Sequence, residues 1–437
     1  RTDARKRQAF FIRSFILKIN AMKNKFPVLK PHLLLMGMAI TTCTFAQQPG
    51  DLDLNFGTDG IVTYDVIGQD DYINKVLIQN DGKILCMGRT QASWQNDDVL
   101  MARFLPTGEL DPTFGQNGVV ITAISSNNDV GNDMVIQDDG KVLVAGYTTL
   151  SNDFDLLLLR YKPDGGIDSA FGNNGVLVMD VEEENNILQS IELLSDGRIL
   201  GFGRVGNDLA LFQYLSAGIV DNTFGNGGVA VTDLGFDQQI PTDLLVLENG
   251  TVLVSASVGP GQEMNAIVCR FTDDGNLDDG FNTIGWVSLS VNPSFVNLAR
   301  NVAVTSDGKI IVSGSSYNGA SESEVFAARL QSDGQVDASF GNGGIVLIDV
   351  GLGYDFADAL VLQPDQKILL AGYTNDGTIS NFDILRIDAA GTLDLAFGNN
   401  GVVITEVSVG DNGVNSMALQ PDGKLVVAGS ARMGTND

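Results

Sequence analysis

Short apolar runs separated by turn residues fill the chain from about residue 51 onward. Typical runs are Val142–Ala145 and Ile310–Ser313, which follow Asp-Gly turns at 139–140 and 307–308. Asp-Gly and Asn-Gly readily adopt the positive φ that a tight hairpin needs. No long stretch shows the three-to-four-residue apolar spacing of an amphipathic helix. The pattern therefore predicts a chain built from antiparallel β-hairpins.

Two turn motifs recur and divide the chain into copies of one unit. The first is Asp-x-x-Phe-x-x-x-Gly, whose phenylalanines are Phe56, Phe114, Phe171, Phe224, Phe281, Phe340 and Phe397. Their spacings are 58, 57, 53, 57, 59 and 57 residues. The second is the hairpin turn, found at 81–82, 139–140, 196–197, 249–250, 307–308, 365–366 and 422–423. Seven evenly spaced copies indicate a repeat fold.

Each unit carries four short strands, which we label a to d. In the second copy, strand a covers about Asp133–Gln137, strand b Lys141–Ala145, strand c Asp155–Tyr161 and strand d Gly175–Asp180. Four strands per unit without a helix are typical of one blade of a β-propeller. The sequence therefore predicts an all-β propeller of seven four-stranded blades.

The strand count leaves one position empty. Seven a–b hairpins and seven d strands are present, but only six c strands. The first d strand, about Gly60–Asp65, precedes every a strand, and the last hairpin, Asn415–Gly429, is followed by only eight residues. We therefore expect the sequence to be cut just before its seventh c strand. The N-terminal d strand would then complete the last blade and close the ring.

The first 46 residues have the features of a leader. A basic stretch from Met22 precedes the apolar run Leu33–Ile40, and Thr44-Phe45-Ala46 forms a small-x-small cleavage pattern. This is the layout of a secretory signal peptide, whose apolar run is too short to span a membrane. We predict residues 1–21 as an upstream leader outside the fold, 22–46 as the signal peptide and 47–437 as the propeller domain. The expected location is extracellular or at the cell surface, alternatively periplasmic, without membrane insertion after cleavage.

Charge and rare residues exclude several functions. The formal net charge is −28, and without residues 1–46 the chain keeps 17 basic and 53 acidic residues, a net charge of −36. Such a surface repels nucleic acid, so we expect no nucleic-acid partner. The single histidine, His32, lies in the leader, which removes histidine-based catalysis and zinc ligation from the domain. Cys86 and Cys269 lie in apolar strand patterns, which favours buried thiols over a disulfide.

Three recurring segments resemble a known repeat. They are Asp-Pro-Thr-Phe-Gly-x-x-Gly at 111–118, Leu-Leu-Arg-Tyr-x-x-Asp-Gly at 158–165 and Gln-Pro-Asp-Gly-Lys at 420–424. They resemble the delta-60 repeat of secreted bacterial proteins, and the resemblance covers about residues 51–437. It implies a propeller-like domain of uncharacterised biochemical function. Copy five departs from the pattern at 281–286, and copy six has Gln366 in place of the hairpin glycine, so unusual turns are expected there.

Residues that recur in every copy are predicted to hold the blades together. The Asp, Phe and Gly anchors should cap a turn, fill a gap between blades and permit a tight bend. Strand c carries a recurring arginine, at Arg103, Arg160, Arg270, Arg329 and Arg386, with Gln213 in the third copy. Because a half-buried guanidinium needs a carboxylate, we expect each arginine to pair with a recurring aspartate. The alternative is a ring of arginines that binds an anion.

Function is expected where the copies differ, in the d–a and b–c loops on one face of the ring. The polar residues of the d–a loops are Asp65, Asp70, Asp71, Asn127, Asn128, Asp129, Asp180, Glu182, Glu183, Glu184, Asp233, Asp237, Asp349, Asp355, Glu406 and Asp411. The b–c loops add Asp97, Asp98, Glu263, Glu322 and Glu324. This rim is either a solvated acidic surface or a Ca²⁺ site, although no segment has a calcium-loop spacing. Aromatic residues near the same face, suited to stacking on a sugar, are Trp94, Tyr72, Tyr317, Tyr354 and Tyr373.

The sequence best fits an exported, non-catalytic binding or scaffold module for an extracellular glycan or protein. One alternative is a structural module that displays a domain beyond residue 437. Another is a carbohydrate-active enzyme that uses loop carboxylates. No residue is assigned a catalytic, cofactor-binding or metal-ligating role, and no cofactor is predicted beyond the Ca²⁺ hypothesis.

Overall fold

The structure is a computed structural model. It describes residues 11–21, 47–93, 96–150, 153–261, 263–293, 295–317, 319, 322–351, 353–375 and 377–433. The predicted signal peptide, 22–46, lies outside the described residues, as does Trp94.

Twenty-nine strands make up the regular structure of the described residues. The first fifteen are β1 (Phe11–Asn20), β2 (Ile61–Tyr64), β3 (Asp71–Ile78), β4 (Ile84–Ser93), β5 (Asn96–Phe104), β6 (Val119–Thr122), β7 (Asp129–Ile136), β8 (Val142–Leu150), β9 (Asp153–Tyr161), β10 (Val176–Met179), β11 (Asn186–Leu193), β12 (Ile199–Val205), β13 (Asp208–Leu215), β14 (Ile219–Val220) and β15 (Val229–Thr232). The others are β16 (Gln238–Val246), β17 (Val252–Gly259), β18 (Asn265–Phe271), β19 (Trp286–Ser288), β20 (Asn297–Val304), β21 (Ile310–Tyr317), β22 (Ser323–Leu330), β23 (Ile345–Ile348), β24 (Asp355–Leu362), β25 (Ile368–Asn375), β26 (Ser380–Ile387), β27 (Val402–Thr405), β28 (Asn412–Leu419) and β29 (Lys424–Met433).

These strands form seven antiparallel sheets, each in the order a-b-c-d. Blades 1 and 2 are β3–β6 and β7–β10, and blade 3 is β11, β12, β13 and β15, with the short β14 beside β13. Blades 4, 5 and 6 are β16–β19, β20–β23 and β24–β27. Blade 7 is β28, β29, β1 and β2. The predicted seven-bladed all-β propeller is therefore confirmed.

The seventh c strand comes from the N-terminus, which corrects the prediction that residues 1–21 lie outside the fold. Strand β1 lies between β29 and β2, and its register with β29 runs from Phe11 opposite Met433 to Asn20 opposite Lys424. The position that the strand count leaves empty is thus filled by residues placed before the predicted signal peptide. The sequence alone favours a leader for this segment, because its short apolar run Phe15–Leu17 precedes Met22 and lies among basic residues.

Seven apolar cores fill the gaps between neighbouring blades, one for each gap. The recurring phenylalanines lie in or beside these cores, at most 4% exposed. Burying a phenylalanine removes a large apolar area from water, so each one stabilises a blade-to-blade contact by about 2 kcal/mol. Cys86 and Cys269 are buried free thiols, as predicted.

The recurring arginines pair with the anchor aspartates as predicted. The Arg160 Nε donates to the Asp168 Oδ2 at 2.8 Å, and the guanidinium lies 4.6 Å from the centre of the Phe171 ring. The same pair has an N–O distance of 2.7–2.8 Å in the other four blades that carry the arginine. In blade 3, Arg198 lies beside Gln213 and donates to its Oε1 at 2.5 Å. These arginines are thus structural residues.

One of the two predicted irregular turns is unusual. In copy five, Asn282 and Thr283 have φ of 45° and 64°, whereas the other turns place positive φ at the first and third of these positions, as at Gly172 and Asn174. Copy five has two β-branched residues, Thr283 and Ile284, at the second and third positions, where the other copies have Asn, Asp or Gly at the third, and Thr283 takes the left-handed φ that β-branched residues disfavour. In copy six, Gln366 adopts a φ of 67° and keeps the ordinary hairpin shape.

Candidate functional site

The d–a and b–c connections lie at one end of the ring, which we call the loop face. Four aromatic side chains meet there between blades 5 and 6, and we call them the aromatic patch: Tyr317, Tyr354, Phe356 and Tyr373. The Phe356 and Tyr373 rings stack at 4.6 Å between centres, and Tyr317 lies 6.1 Å from Tyr354 and 6.2 Å from Phe356. All four are partly exposed. The patch is therefore a cluster of aromatic side chains that solvent partly reaches.

Strand ends hold the aromatic patch in place. Tyr317 ends the b strand of blade 5, while Phe356 and Tyr373 are directly opposite each other on the a and b strands of blade 6. The two blades are joined here because the Ser323 hydroxyl donates to the Asp355 carbonyl at 2.9 Å and accepts from the Asp355 N–H at 3.0 Å. The patch thus needs little ordering to bind a ligand, which lowers the entropic cost of binding.

Asp355 anchors the loop that leads into the patch. Its Oδ2 accepts from the Val350 N–H at 2.7 Å, and its Oδ1 accepts from the Thr374 hydroxyl at 2.6 Å. Asp71 and Asp129 occupy the same first position of strand a, and all three are fully buried. These three carboxylates therefore support the loops and do not belong to the exposed acidic rim in which the sequence analysis placed them.

An ion pair lies beside the aromatic patch at the channel wall. The Arg300 Nε is 3.1 Å from the Asp358 Oδ1, and Asp358 is two residues after Phe356 on the same strand. Burial raises the pKa of Asp358, and the Arg300 charge opposes that rise. Burial, and then the negative charge of Asp358, raise the pKa of Tyr373 to about 12, so its hydroxyl stays a hydrogen-bond donor at neutral pH.

A second part of the rim, around blade 3, brings several predicted carboxylates together. A pocket of about 820 Å³ is lined by Glu182, Glu184, Asp208, Asp233 and Asp237. The Gln239 Nε2 donates to the Asp208 Oδ1 at 2.8 Å and to the Asp233 Oδ1 at 3.3 Å. Arg204 lies in the same pocket, where burial lowers the pKa of its guanidinium.

The central channel is lined by one bulged residue from each strand a. The register shift occurs at the same place in all seven a–b pairs, and the residues skipped are Asn74, Asn132, Gln189, Thr242, Arg300, Asp358 and Asn415. They surround a cavity of about 800 Å³. The amides of Asn74, Asn132 and Asn415 donate to backbone carbonyls of the next blade at 2.7–2.9 Å. The bulges therefore make the channel wall polar and join its blades.

A wider part of the channel, of about 1080 Å³, lies in blades 1 to 4, and its lining includes Lys75, Asp133, Glu192 and Asp243. The Lys75 Nζ lies 2.7 Å from the Asp133 Oδ1. Burial, with the neighbouring charges of Asp133 and Asp243, raises the pKa of Glu192 to about 7. Burial raises the pKa of Asp243 to about 6, against the nearby Lys75 charge. Glu192 and Asp243 can therefore exchange protons near neutral pH.

The part of the chain that the structure describes contains no obvious set of metal ligands. No group of three or more acidic, cysteine or histidine side chains there has the arrangement to hold a metal ion. In the same residues, no helix is long and apolar enough to cross a membrane.

Only part of this arrangement is predictable from the sequence. The structure brings Tyr317, Tyr354 and Tyr373 together, but it places Tyr72 in blade 1, where the Arg89 guanidinium lies 4.4 Å from its ring centre. Phe356 was missed because it belongs to the alternating pattern of strand a. The channel carboxylates Glu192 and Asp243 were missed because nothing local marks them. The bulges that aim residues into the channel have no sequence signal of their own.

Comparison with known proteins identifies the class of repeat. Five segments match the family described as "Domain of unknown function (DUF5122) beta-propeller": residues 79–114, 137–171, 305–340, 363–397 and 420–437. The first four each run from a hairpin turn to the next Asp-x-x-Phe anchor, and the last begins at the seventh hairpin turn. These segments are thus β-propeller repeat units. No curated protein matches the chain.

Solved structures resemble the chain at low sequence identity. Streptogramin B lyase is 10% identical, with a TM-score of 0.43 over 82% of this chain and 93% of that one. A PL25 ulvan lyase, a polysaccharide lyase, is 10% identical, with a TM-score of 0.44 over 82% and 91%. A protein of unknown function from Dyadobacter fermentans is 13% identical, with a TM-score of 0.41 over 82% and 93%. At these values the similarity does not bear on what this chain binds.

Proposed function

We propose that this propeller is an exported, non-catalytic module that binds a glycan through the aromatic patch on its loop face. The observation that carries the proposal is the meeting of four aromatic rings from two blades beside the Arg300–Asp358 ion pair. Ligand sites typically combine aromatic surface with a few fixed polar groups. A sugar ring offers an apolar face for stacking and hydroxyl groups for the polar side chains. The net charge of −28 disfavours anionic glycans, so the expected ligand is neutral or cationic.

The first experiment replaces Tyr373 or Tyr317 with alanine and measures retention on neutral polysaccharides and amino-sugar polymers. Each variant should bind at least ~tenfold more weakly, because a central aromatic side chain supplies a large share of binding energy. The matched control is Tyr147→Ala. Tyr147 occupies the position of Tyr373 in blade 2, opposite Val130, and packs on Phe154 instead. Equal loss in Tyr147→Ala and Tyr373→Ala, or no binding to any glycan by the unaltered protein, contradicts the proposal.

A carbohydrate-active enzyme is the second candidate, and the raised pKa values of Glu192 and Asp243 favour it. A general acid at neutral pH needs a carboxyl whose pKa is raised in this way. If the channel catalyses cleavage of a polysaccharide, Glu192→Gln and Asp243→Asn should each abolish turnover. If both variants still bind the glycan, the reaction takes place in the channel and recognition takes place at the aromatic patch. Absence of turnover in the unaltered protein leaves binding as the function.

Export and calcium binding are further parts of the proposal that come from the sequence. The predicted signal peptide supports a location at the cell surface or outside the cell, and cleavage after Ala46 would separate β1 from the other strands of blade 7. The N-terminal sequence of the protein recovered from culture medium tests both the export and the cleavage. Calcium binding at the acidic rim predicts a higher melting temperature in millimolar Ca²⁺ than in chelator. Equal melting temperatures in the two conditions would show that the acidic rim does not bind calcium.

A further inference from the structure

In five of the seven blades the c strand carries an arginine that lies in the same kind of slot, whereas blade 3 has Gln213 at this position. In blade 2, Arg160 makes three contacts at once: with Asp168 at 2.8 Å, with the Phe171 ring at 4.6 Å and with the Ser216 carbonyl of the next blade at 2.6 Å. Arg103 repeats them in blade 1, with its Nη1 on the Pro163 carbonyl at 2.6 Å. A planar guanidinium can make all three contacts because its donors form a fixed fork.

Blade 7 keeps this arginine slot although its c strand supplies a lysine. Lys18 takes the position of the arginine, facing Asp53, Phe56 and the Pro106 carbonyl. Its Nζ is 3.9 Å from the Asp53 Oδ2, 5.7 Å from the ring centre and 3.4 Å from the carbonyl oxygen. Each distance is longer than the corresponding arginine contact in blade 2. Burial, and then the nearby Lys424 charge, lower the pKa of Lys18 against the attraction of Asp53.

The backbone of blade 7 does not distinguish β1 from any other c strand. The Lys18 N–H donates to the Gly60 carbonyl and the Asp53 N–H donates to the Lys18 carbonyl, as Arg103 does with Gly118 and Asp111. Such bonds recognise any extended segment in the same register. Selection among strands therefore rests on side chains, and Lys18 is the one that stands at the position of the arginine.

We propose that the slot between β29 and β2 is a strand-acceptor site that takes, from a second polypeptide, an extended segment with the pattern of the other c strands in place of β1. The segment carries a run of apolar residues, then an arginine, then an aromatic or apolar residue and a tight turn. In this chain the pattern is seen at Leu156–Tyr161 and at Val99–Phe104. The partner is thus a polypeptide strand, and the site is independent of glycan binding at the aromatic patch.

The first test measures thermal unfolding of the full chain with Lys18→Arg and with Lys18→Met. Arginine should restore the contacts seen in blade 2 and raise the melting temperature by about 2 °C, while methionine should lower it. The matched control is Lys162→Arg, because Lys162 is an exposed lysine on the turn that follows β9. It should leave the melting temperature unchanged.

The second test uses the full chain with a specific protease site inserted between residues 22 and 46, cut after folding. A labelled peptide with the sequence of residues 153–168 is added, and release of the N-terminal fragment is followed by native mass spectrometry. The peptide should displace the fragment and bind at least ~tenfold more tightly than its Arg160→Met and Arg160→Lys forms, because both lack the guanidinium fork.

Two results would overturn the inference. One is a melting temperature of Lys18→Arg equal to or below that of the unaltered protein, which means that the slot does not prefer arginine. The other is equal displacement by the three peptides, or none by any of them, which means that the slot does not select a strand from a second chain.

Discussion

At the scale of single residues, the turn after each c strand shows how one side chain changes backbone geometry. Six copies place Asn, Asp or Gly at the third turn position, as at Asn174 and Asn400, where φ is 53° and 55°. In copy five Ile284 occupies this position, and the positive φ falls on Thr283 instead. A β-branched residue in the left-handed region is strained, which costs roughly 1–2 kcal/mol.

Replacing Thr283-Ile284 with Asn-Asn should therefore stabilise the protein. The pair already occurs at 173–174 and 399–400, where it forms the ordinary turn. We expect the free energy of unfolding to rise by about 1 kcal/mol, measured by chemical denaturation. The control is Thr58→Asn, at the position of Thr283 in another copy but without positive φ, which should change stability by less than about 0.5 kcal/mol. A destabilised Asn-Asn variant would show that copy five depends on its own turn.

At the scale of strands and blades, one arginine joins three structural parts. Arg160 lies on a c strand, pairs with the anchor Asp168, covers Phe171 and reaches the turn of the following blade. The seven Asp anchors are predictable from the sequence. The ion pair between an anchor aspartate and the strand c arginine is predictable too, because a recurring acid and a recurring base at fixed spacing need each other's charge when both are buried. What the sequence does not contain is the third contact, since its partner is a backbone carbonyl about 56 residues away in the chain.

Replacing Arg160 with methionine should destabilise the protein by about 3 kcal/mol, because it leaves the buried Asp168 carboxylate without its main partner. Thermal or denaturant unfolding measures the effect. Lys162→Met, two residues away and exposed, should cost less than about 0.5 kcal/mol. Glycan binding by the folded Arg160→Met protein should be unchanged. A loss of binding without a loss of stability would instead show that the ring of arginines binds a ligand.

At the scale of the whole ring, buried carboxylates of two kinds set the response to pH. Burial raises the pKa of Asp71 and Asp243 to about 6 and that of Glu192 to about 7. The anchor carboxylates Asp111 and Asp337 have pKa values well below the usual range, because their hydrogen bonds and cationic neighbours outweigh the effect of burial. As the pH falls, carboxylates of the first kind bind protons at a higher pH in the folded protein than in the unfolded chain. Carboxylates of the second kind bind protons at a lower pH in the folded protein than in the unfolded chain.

Stability should therefore rise as the pH falls from about 7 to about 5, because the raised-pKa carboxylates bind protons in the folded protein. It should decline below about pH 4, because the carboxyl groups of the unfolded chain bind protons there while the anchor carboxylates of the folded protein stay ionised. The measurement is the free energy of unfolding across this range. Self-repulsion of the acidic surface acts in the same direction, so a variant must separate the two effects.

Glu192→Gln should flatten the slope between pH 7 and about 5, whereas Glu109→Gln, at an exposed glutamate, should not. Both variants remove one negative charge, so only the buried group distinguishes them. If the free energy of unfolding of the unaltered protein instead rises steadily towards about pH 8, ionisation of the channel carboxylates does not destabilise the fold.

The sequence by itself determined the repeat, the four strands of each blade and the role of the recurring Asp, Phe and Arg residues. It could do so because turns, alternation and anchor pairs act within one unit and leave a local pattern. Tertiary structure alone decided which strand fills the seventh c position, which loop aromatics meet Phe356 and which carboxylates face the channel. Those outcomes depend on the closing of the ring and on bulges in strand a, which bring together residues hundreds of positions apart, as with Asn415 and Ile73.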